Sequence, residues 1–213
     1  MNRVVGFCLI LGMGVTSIGA DSVWMKPVQW VRDYMTTPVS SNPWQANATQ
    51  DVTIQSKAPT LVLEKRLSRY IQIMNPALVE SKRNEIVAHI IEQSRSHDID
   101  PTLIAAIIAV ESRFNPTASH GGALGLGQLM GETARRLGVK NPFSIADNIN
   151  GTVRYTAHHY KKWTKSPFQT EFTLASYLMG SVKSSQPNQL PTRVQQYIQR
   201  VQLQQKRIND LGG

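Results

Sequence analysis

The stretch from Pro101 to Ala134, PTLIAAIIAVESRFNPTASHGGALGLGQLMGETA, constrains the fold more than any other part of the chain. It opens as a short apolar helix, which needs burial, and ends that helix on a carboxylate, Glu111. Asp100-Pro101 is a strong start signal, because the Asp side chain caps free backbone N–H groups and Pro is tolerated in the first turn. Ile104, Ile107, Ile108 and Glu111 then share one face at i, i+3, i+4, i+7 spacing. The carboxylate therefore ends an apolar stripe. Burial there disfavours the charged form, and a negative charge at a helix C-terminus is disfavoured in the same direction. A general acid working near neutral pH needs such a raised pKa. A Glu at a helix end is also commonly a solvated residue or a partner for a neighbouring cation such as Arg113, so position alone leaves both readings open.

The loop after Pro116 strengthens the catalytic reading. Gly121, Gly122, Gly125 and Gly127 permit close backbone approach to a ligand or unusual φ angles. Gln128 offers a donor and an acceptor beside them, and Leu124, Leu126, Leu129 and Met130 supply apolar lining. A second helix is expected to begin near Gln128. A phosphate loop is set aside, since no Walker Lys and no preceding strand accompany the glycines.

The remaining chain reads as helices. Leu63, Leu67, Ile71 and Met74 form a stripe ending before Pro76. A helix capped by the Ser81 hydroxyl buries Ile86, Val87, Ile90 and Ile91, with Lys82, Arg83, Glu85 and Glu92 outside. Further helices are expected over 148–163 and 172–178, the latter stopped by Gly180. A last helix opened by Pro191 carries the stripe Val194, Tyr197, Ile198 and Val201. Aromatic residues and alternating β-branched runs are few, which argues against an all-β fold. The class is all-α.

Residues 1–20, MNRVVGFCLILGMGVTSIGA, have the layout of a secretory signal: Arg3, an apolar run, then small residues. Residues 21–60, punctuated by Pro27, Pro38, Pro43 and Pro59, read as an irregular arm or linker bearing Trp24, Trp30 and Trp44. The domain proper is expected over 61–213. Cys8 is the only cysteine, so no intramolecular disulfide forms. The five histidines show no metal-ligand spacing, and His158 and His159 point to different sides of their helix. No metal and no cofactor is expected. The formal charge is +9, with 19 Lys+Arg against 11 Asp+Glu from residue 61 onward. A basic surface suits a polyanion such as an anionic cell wall. The scatter of the charges and the absence of a recognition motif argue against nucleic acid.

With these pieces placed, residues 70–203 resemble the soluble lytic transglycosylases (SLT) of the lysozyme-like superfamily. Glu111-Ser112-Arg113-Phe114-Asn115-Pro116 is similar to the family's E-S-x-F-N-P motif. The run Gly122 to Met130, GALGLGQLM, is similar to its G-A-x-G-L-M-Q-L-M motif. Asn148-Ile149 with Tyr155, and Pro191 with Tyr197-Ile198 and Val201, resemble two further blocks. The resemblance implies a goose-type, lysozyme-like helical domain that cleaves the β-1,4 bond between N-acetylmuramic acid and N-acetylglucosamine in peptidoglycan. It implies Glu111 as the acid and base, and Gln128, Met130, Tyr197, Tyr177 and Ser119 as cleft residues. The expected partners are peptidoglycan strands in the periplasm or cell envelope, together with an envelope-spanning secretion or appendage machine. A lysozyme-type hydrolase and a weakly catalytic wall-binding or assembly protein are the alternatives. The chain departs from the family pattern at several positions. Gly127 stands in place of Met, which is expected to open the loop. Gly131 stands in place of Pro, and the segment before Gly122 is one residue short, which affects the match of Ser119. Leu178 stands in place of Asn, and Arg193 in place of an acidic residue.

Overall fold

The apolar run at the centre of the sequence is also the most enclosed helix among the described residues. The computed structural model describes residues 57–211. The expected export signal and all but the last residues of the expected arm lie outside the described residues. Helix α1 spans Lys57–Met74, α2 Glu80–Ser96 and α3 Pro101–Ser112. After a small sheet come α4 (Gly131–Arg136), α5 (Ile145–Lys162), α6 (Gln169–Met179) and α7 (Thr192–Asp210). A single 3-10 turn, Pro187–Gln189, breaks the polar loop before α7. The fold of the described residues is mostly helical, in the all-α class expected.

Every residue of α3 from Thr102 to Ala109 is buried. A helix that is apolar all round has to be enclosed on all sides, and α3 accordingly packs against α1, α2, α5 and α7. The stripes read from the sequence face it. Leu67 and Ile71 of α1, Ile86, Val87, Ile90 and Ile91 of α2, and Val194, Tyr197, Ile198 and Val201 of α7 are all buried. In α5, His159 is buried against the edge of Tyr155, with ring centroids 4.5 Å apart, while His158 is exposed. Desolvation pushes His159 down to about 4, so it stays neutral in the core.

Three local expectations change. Helix α2 starts at Glu80 with Val79 in the cap position and no side-chain cap, so Ser81 lies inside its first turn and does not close it. Helix α1 begins at Lys57, four residues into what reads as linker, with Pro59 in its first turn, where a missing N–H is tolerated. The glycine loop folds into a three-stranded antiparallel sheet instead of remaining irregular. β1 (Ser119–His120), β2 (Ala123–Leu124) and β3 (Leu129–Met130) lie in sequence order, pairing Ser119 with Leu124 and Ala123 with Met130. Two-residue strands show no alternation in sequence, so nothing marked them beforehand.

Asp100 caps α3 as expected, accepting from the Thr102 N–H at 2.8 Å. It also accepts from Gln205 Nε2 at 2.9 Å, which ties the start of α3 to α7. Asp100→Ala is expected to cost about 1–2 kcal/mol, the value of a cap plus an interhelical bond. Thermal unfolding followed by circular dichroism should show a midpoint lowered by about 3–8 °C, with most of it recovered in Asp100→Asn.

Candidate active site

The chain turns abruptly after Glu111. Arg113 (φ 52°) and Phe114 (φ 59°) are consecutive non-glycine residues in the left-handed region. A phenylalanine there is a genuine outlier, and such strain persists only where the surroundings over-determine it. Here Phe114 is fully buried, its ring meets the edge of Tyr70 at 6.0 Å, and its carbonyl accepts from Asn75 Nδ2 at 3.2 Å. The sharp turn ends α3 one residue beyond Glu111 and fixes where the carboxylate stands.

Glu111 is half-buried, and its Oε1 accepts from the Tyr197 hydroxyl at 2.6 Å. The contact is short, as expected of a charge-assisted bond. Arg113, the neighbour that could have neutralised it, is exposed and reaches only the Met74 carbonyl at 3.5 Å. Burial raises the Glu111 pKa above the ordinary carboxylate value, and the Tyr197 bond and the charge of Arg200 offset part of that rise. Tyr197 is pushed well above its usual range by burial and by the Glu111 charge, so it remains a donor.

Gln128 does not open a helix. It sits in a turn at φ 47°, and its Nε2 donates to the carbonyls of Ala118 at 3.1 Å and Gly125 at 2.8 Å, closing the loop on itself. Helix α4 starts only at Gly131. The opening expected of Gly127 is also corrected. Gly127 is buried, and a Cβ there would overlap Thr152 Oγ1 and meet the Tyr177 hydroxyl at 2.9 Å, so the glycine lets the loop close down on α5 and α6. Tyr177 lies beneath the loop and donates to the Gly127 carbonyl at 2.7 Å. Its pKa is raised by burial first and by the Glu111 charge second, which ties the loop's support to the neighbourhood of the acid. Ser119 and Met130 lie exposed on the outer strands of the sheet, and Leu178 is 41% exposed at the end of α6.

Asn148 was not singled out as a site residue. It is buried, its Oδ1 accepts from the Gly127 N–H at 2.7 Å, and its Nδ2 donates to the carbonyls of Leu124 at 3.0 Å and Pro142 at 2.8 Å. A signal was present: Asn148, Thr152 and Thr156 recur at four-residue spacing on the otherwise apolar face of α5, where polar groups need a partner. Asn75, in the α1–α2 turn, carried no comparable signal. Among the described residues no cluster of His, Cys, Asp and Glu could hold a metal ion.

A half-buried acid at a helix end, a tyrosine fixing it from a distant helix and a clamped glycine loop whose supporting tyrosine feels the acid's charge make up the candidate site. Residues 88–198 match the family model described as the transglycosylase SLT domain, and the chain belongs to that family. It is similar to the membrane-bound lytic murein transglycosylase F of Desulfosudis oleivorans, at 40% identity over 88 residues, 39% of this chain and 19% of that protein. The same-named protein of Pseudomonas syringae pv. syringae is 34% identical over 97 residues, 44% of this chain and 20% of that protein. The transglycosylase of Enterobacteria phage PRD1 is 44% identical over 59 residues, 27% of this chain and 22% of that protein. The match thus spans about a fifth of the length of these curated relatives.

Two outcomes follow from the electrostatics. Tyr197→Phe removes a bond that favours the charged carboxylate, so the Glu111 pKa should rise above the wild-type value, read by carbon-13 NMR of the labelled carboxyl. The second concerns stability. An acid whose folded-state pKa exceeds its unfolded value holds its proton more tightly when folded, so ionising it costs stability as pH rises from the ordinary carboxylate pKa through the raised one. Glu111→Gln should therefore be more stable than wild type at pH 7, with the gap closing as pH falls below the ordinary carboxylate range. A pH-independent gap would show that Glu111 is not desolvated.

Proposed function

We propose that the chain is a peptidoglycan lytic transglycosylase with Glu111 as its single acid and base. The observation that carries the reading is a half-buried carboxyl with a raised pKa, oriented by Tyr197 beside a glycine-lined loop. Glu111 donates its proton to the oxygen linking N-acetylmuramic acid to N-acetylglucosamine as the C1–O4 bond breaks. The resulting carboxylate then takes the proton of the muramyl C6 hydroxyl as O6 bonds to C1. The product is a 1,6-anhydro ring, no water is consumed, and the acid is restored.

Glycosidases with two carboxylates hold them about 5–5.5 Å apart for retention or 6.5–9.5 Å for inversion. The charge acting on Glu111 comes from Arg200, not from another carboxylate. Glu132, the next acid in the chain, is exposed and lies 3.7 Å from Arg135. Glu171 is buried elsewhere and accepts from Gln202 at 3.2 Å. A lone acid suffices where the substrate's own N-acetyl group stabilises the developing cation.

In this reading Gln128 and Tyr177 shape the cleft by holding the loop backbone, while Ser119 and Met130 contact sugar from the sheet. The signal-like residues 1–20 direct export to the periplasm or envelope, where a small catalytic unit suits local opening of the wall for an envelope-spanning machine. Among the described residues no helix is long and apolar enough to cross a membrane. A second reading, a wall-binding protein of little activity, draws on exposed Leu178 where the family carries Asn.

Glu111→Gln is expected to lower clearing of purified peptidoglycan by about 10²–10⁴-fold, the usual worth of general acid–base catalysis, while pull-down on the same wall persists. Mass spectrometry of wild-type digests should show anhydro-muramyl ends. Reducing ends would assign a hydrolase instead, and binding without clearing by the wild type would favour the binder.

A further inference from the structure

Between Glu132 and Glu171 the chain carries seven Lys+Arg and one acid, Asp147, so the charge balance is strongly one-sided here. Helix α5 sorts much of that charge onto one face. Arg154, His158, Lys161 and Lys162 follow at i, i+4, i+7 and i+8, the spacing of a single helical stripe, and all four are exposed. Lys165, in the turn beyond the helix, is exposed as well. Thr152 and Thr156, which are fully buried, lie on the opposite side of α5, so the stripe faces away from the core. The end of α4 joins it. Arg154 Nη1 donates to the Leu137 carbonyl at 2.8 Å, and Arg136 stands near enough to Tyr155 of α5 for its charge to act on the phenol. The ion pairs among the described residues are His89–Glu92, Arg135–Glu132 and Lys206–Asp210, so Arg136, Arg154, Lys161, Lys162 and Lys165 have no acidic partner there. Asp147, on the same face two turns before Arg154, is already engaged by the Asn141 N–H at 3.0 Å. At the far end Lys162 Nζ stands 5.3 Å over the Trp163 ring, whose Nε1–H donates to Ser176 Oγ at 3.0 Å. Like charges kept on one face repel one another until an anion meets them.

We propose that this face of α5 docks on an anionic phospholipid surface, with Arg154, Lys161, Lys162 and Lys165 set against the lipid phosphates and Trp163 beside them. Charge complementarity selects an anion, and the shape of the stripe selects a surface. The cations from Arg154 to Lys162 run about 12 Å along the helix, at a rise of about 1.5 Å per residue, and they stand on its outward ridge. Such a ridge meets a plane of phosphates along its whole length. A single strand of nucleic acid or another phosphate polymer is held differently, in a basic groove that tracks its backbone. Helices that lie in a membrane interface carry Lys and Arg on one face and sink an apolar face into the lipid. The apolar face of α5 is committed to the core, so attachment here is electrostatic and peripheral. Each cation near the surface strengthens it about five-fold, and salt weakens it. Thr152, against which Gly127 packs, is on the opposite side of the helix, so docking does not press on the glycine loop.

The test measures co-sedimentation of the full-length chain with vesicles of phosphatidylcholine alone and with about 30% phosphatidylglycerol added. The readout is the ratio of the two affinities, which cancels any hold of residues 1–20 on lipid of either kind. At low salt the ratio should fall about 100-fold in Lys161→Gln/Lys162→Gln/Lys165→Gln, at about five-fold per cation. For the wild type it should collapse at about 1 M salt. The charge-matched variant Lys65→Gln/Lys82→Gln/Lys183→Gln, altered at exposed positions elsewhere, should keep the wild-type ratio. Circular dichroism melts of the three proteins should coincide, since exposed substitutions barely change stability. An equal fall in both variants would assign binding to net charge and overturn the docking face, as would a wild-type ratio near one. Tighter binding to soluble polyphosphate than to vesicles of equal phosphate content would make the ligand a phosphate polymer and overturn the membrane surface. Vesicle binding involves no turnover, so a failure to clear peptidoglycan counts against the proposed activity and leaves this result standing.

Discussion

The bond from Tyr197 to Glu111, 2.6 Å long and bridging 86 positions of sequence, is the contact on which the site depends. A carboxylate withdrawn from water is costly unless a donor meets it. Tyr197 meets it from α7, and it can do so only because α7 lies along α3 with Val194, Ile198 and Val201 buried in the core. The acid's orientation is therefore a consequence of helix packing. The same burial that raises the Glu111 pKa raises that of Tyr197, so the donor keeps its proton throughout the range in which the acid titrates.

The glycine loop, whose supporting Tyr177 feels the acid's charge, is held on the opposite principle, by backbone hydrogen bonds to buried side chains. Asn148 satisfies the Gly127 N–H and the Leu124 and Pro142 carbonyls, and Tyr177 satisfies the Gly127 carbonyl. Because each clamp ends on backbone, the loop's path depends little on its own side chains, except where a Cβ cannot fit. Gly125 and Gly127 are those places, packed against Pro142 with Asn148 and against Thr152 with Tyr177 respectively. Glycine here serves rigidity rather than freedom: the close approach it allows is what lets the clamps reach.

Much of this was legible from residue pattern alone. The period of three to four residues placed the buried stripes of α1, α2 and α7, because amphipathic helices repeat their buried face along the sequence. Asp100-Pro101 located the start of α3 because a cap is a local interaction. The Glu111–Tyr197 bond was not derivable that way, since no local rule pairs positions on α3 and α7; the resemblance supplied the pair, and the fold supplied the geometry. The miniature sheet and the left-handed turn at Arg113 and Phe114 escaped for a related reason. Strands of two residues carry no periodicity, and Phe114 adopts a positive φ against its own preference because Tyr70 and Asn75 hold it there. Ser81 misled because the chain turns helical one residue earlier, which leaves Val79 in the cap position and puts Ser81 inside the first turn.

The departures from the family pattern divide cleanly once the structure is in view. Gly127 belongs to the skeleton, and its lack of a side chain is required by Thr152 and Tyr177. Leu178 and Arg193 lie on the surface, where neither removes a buried hydrogen bond nor leaves a buried charge unpaired. A polar-to-apolar change at an exposed helix end costs little folding energy, so the packing and hydrogen-bond demands met by Asn148, Tyr177 and Tyr197 do not extend to residue 178. An apolar side chain there leaves the acid, its tyrosine and the clamped loop intact. Arg193 likewise changes the surface charge at the start of α7 without touching the core. Such substitutions leave the buried frame unaltered, so their effect on folding is small and any larger effect has to be sought at the surface they change.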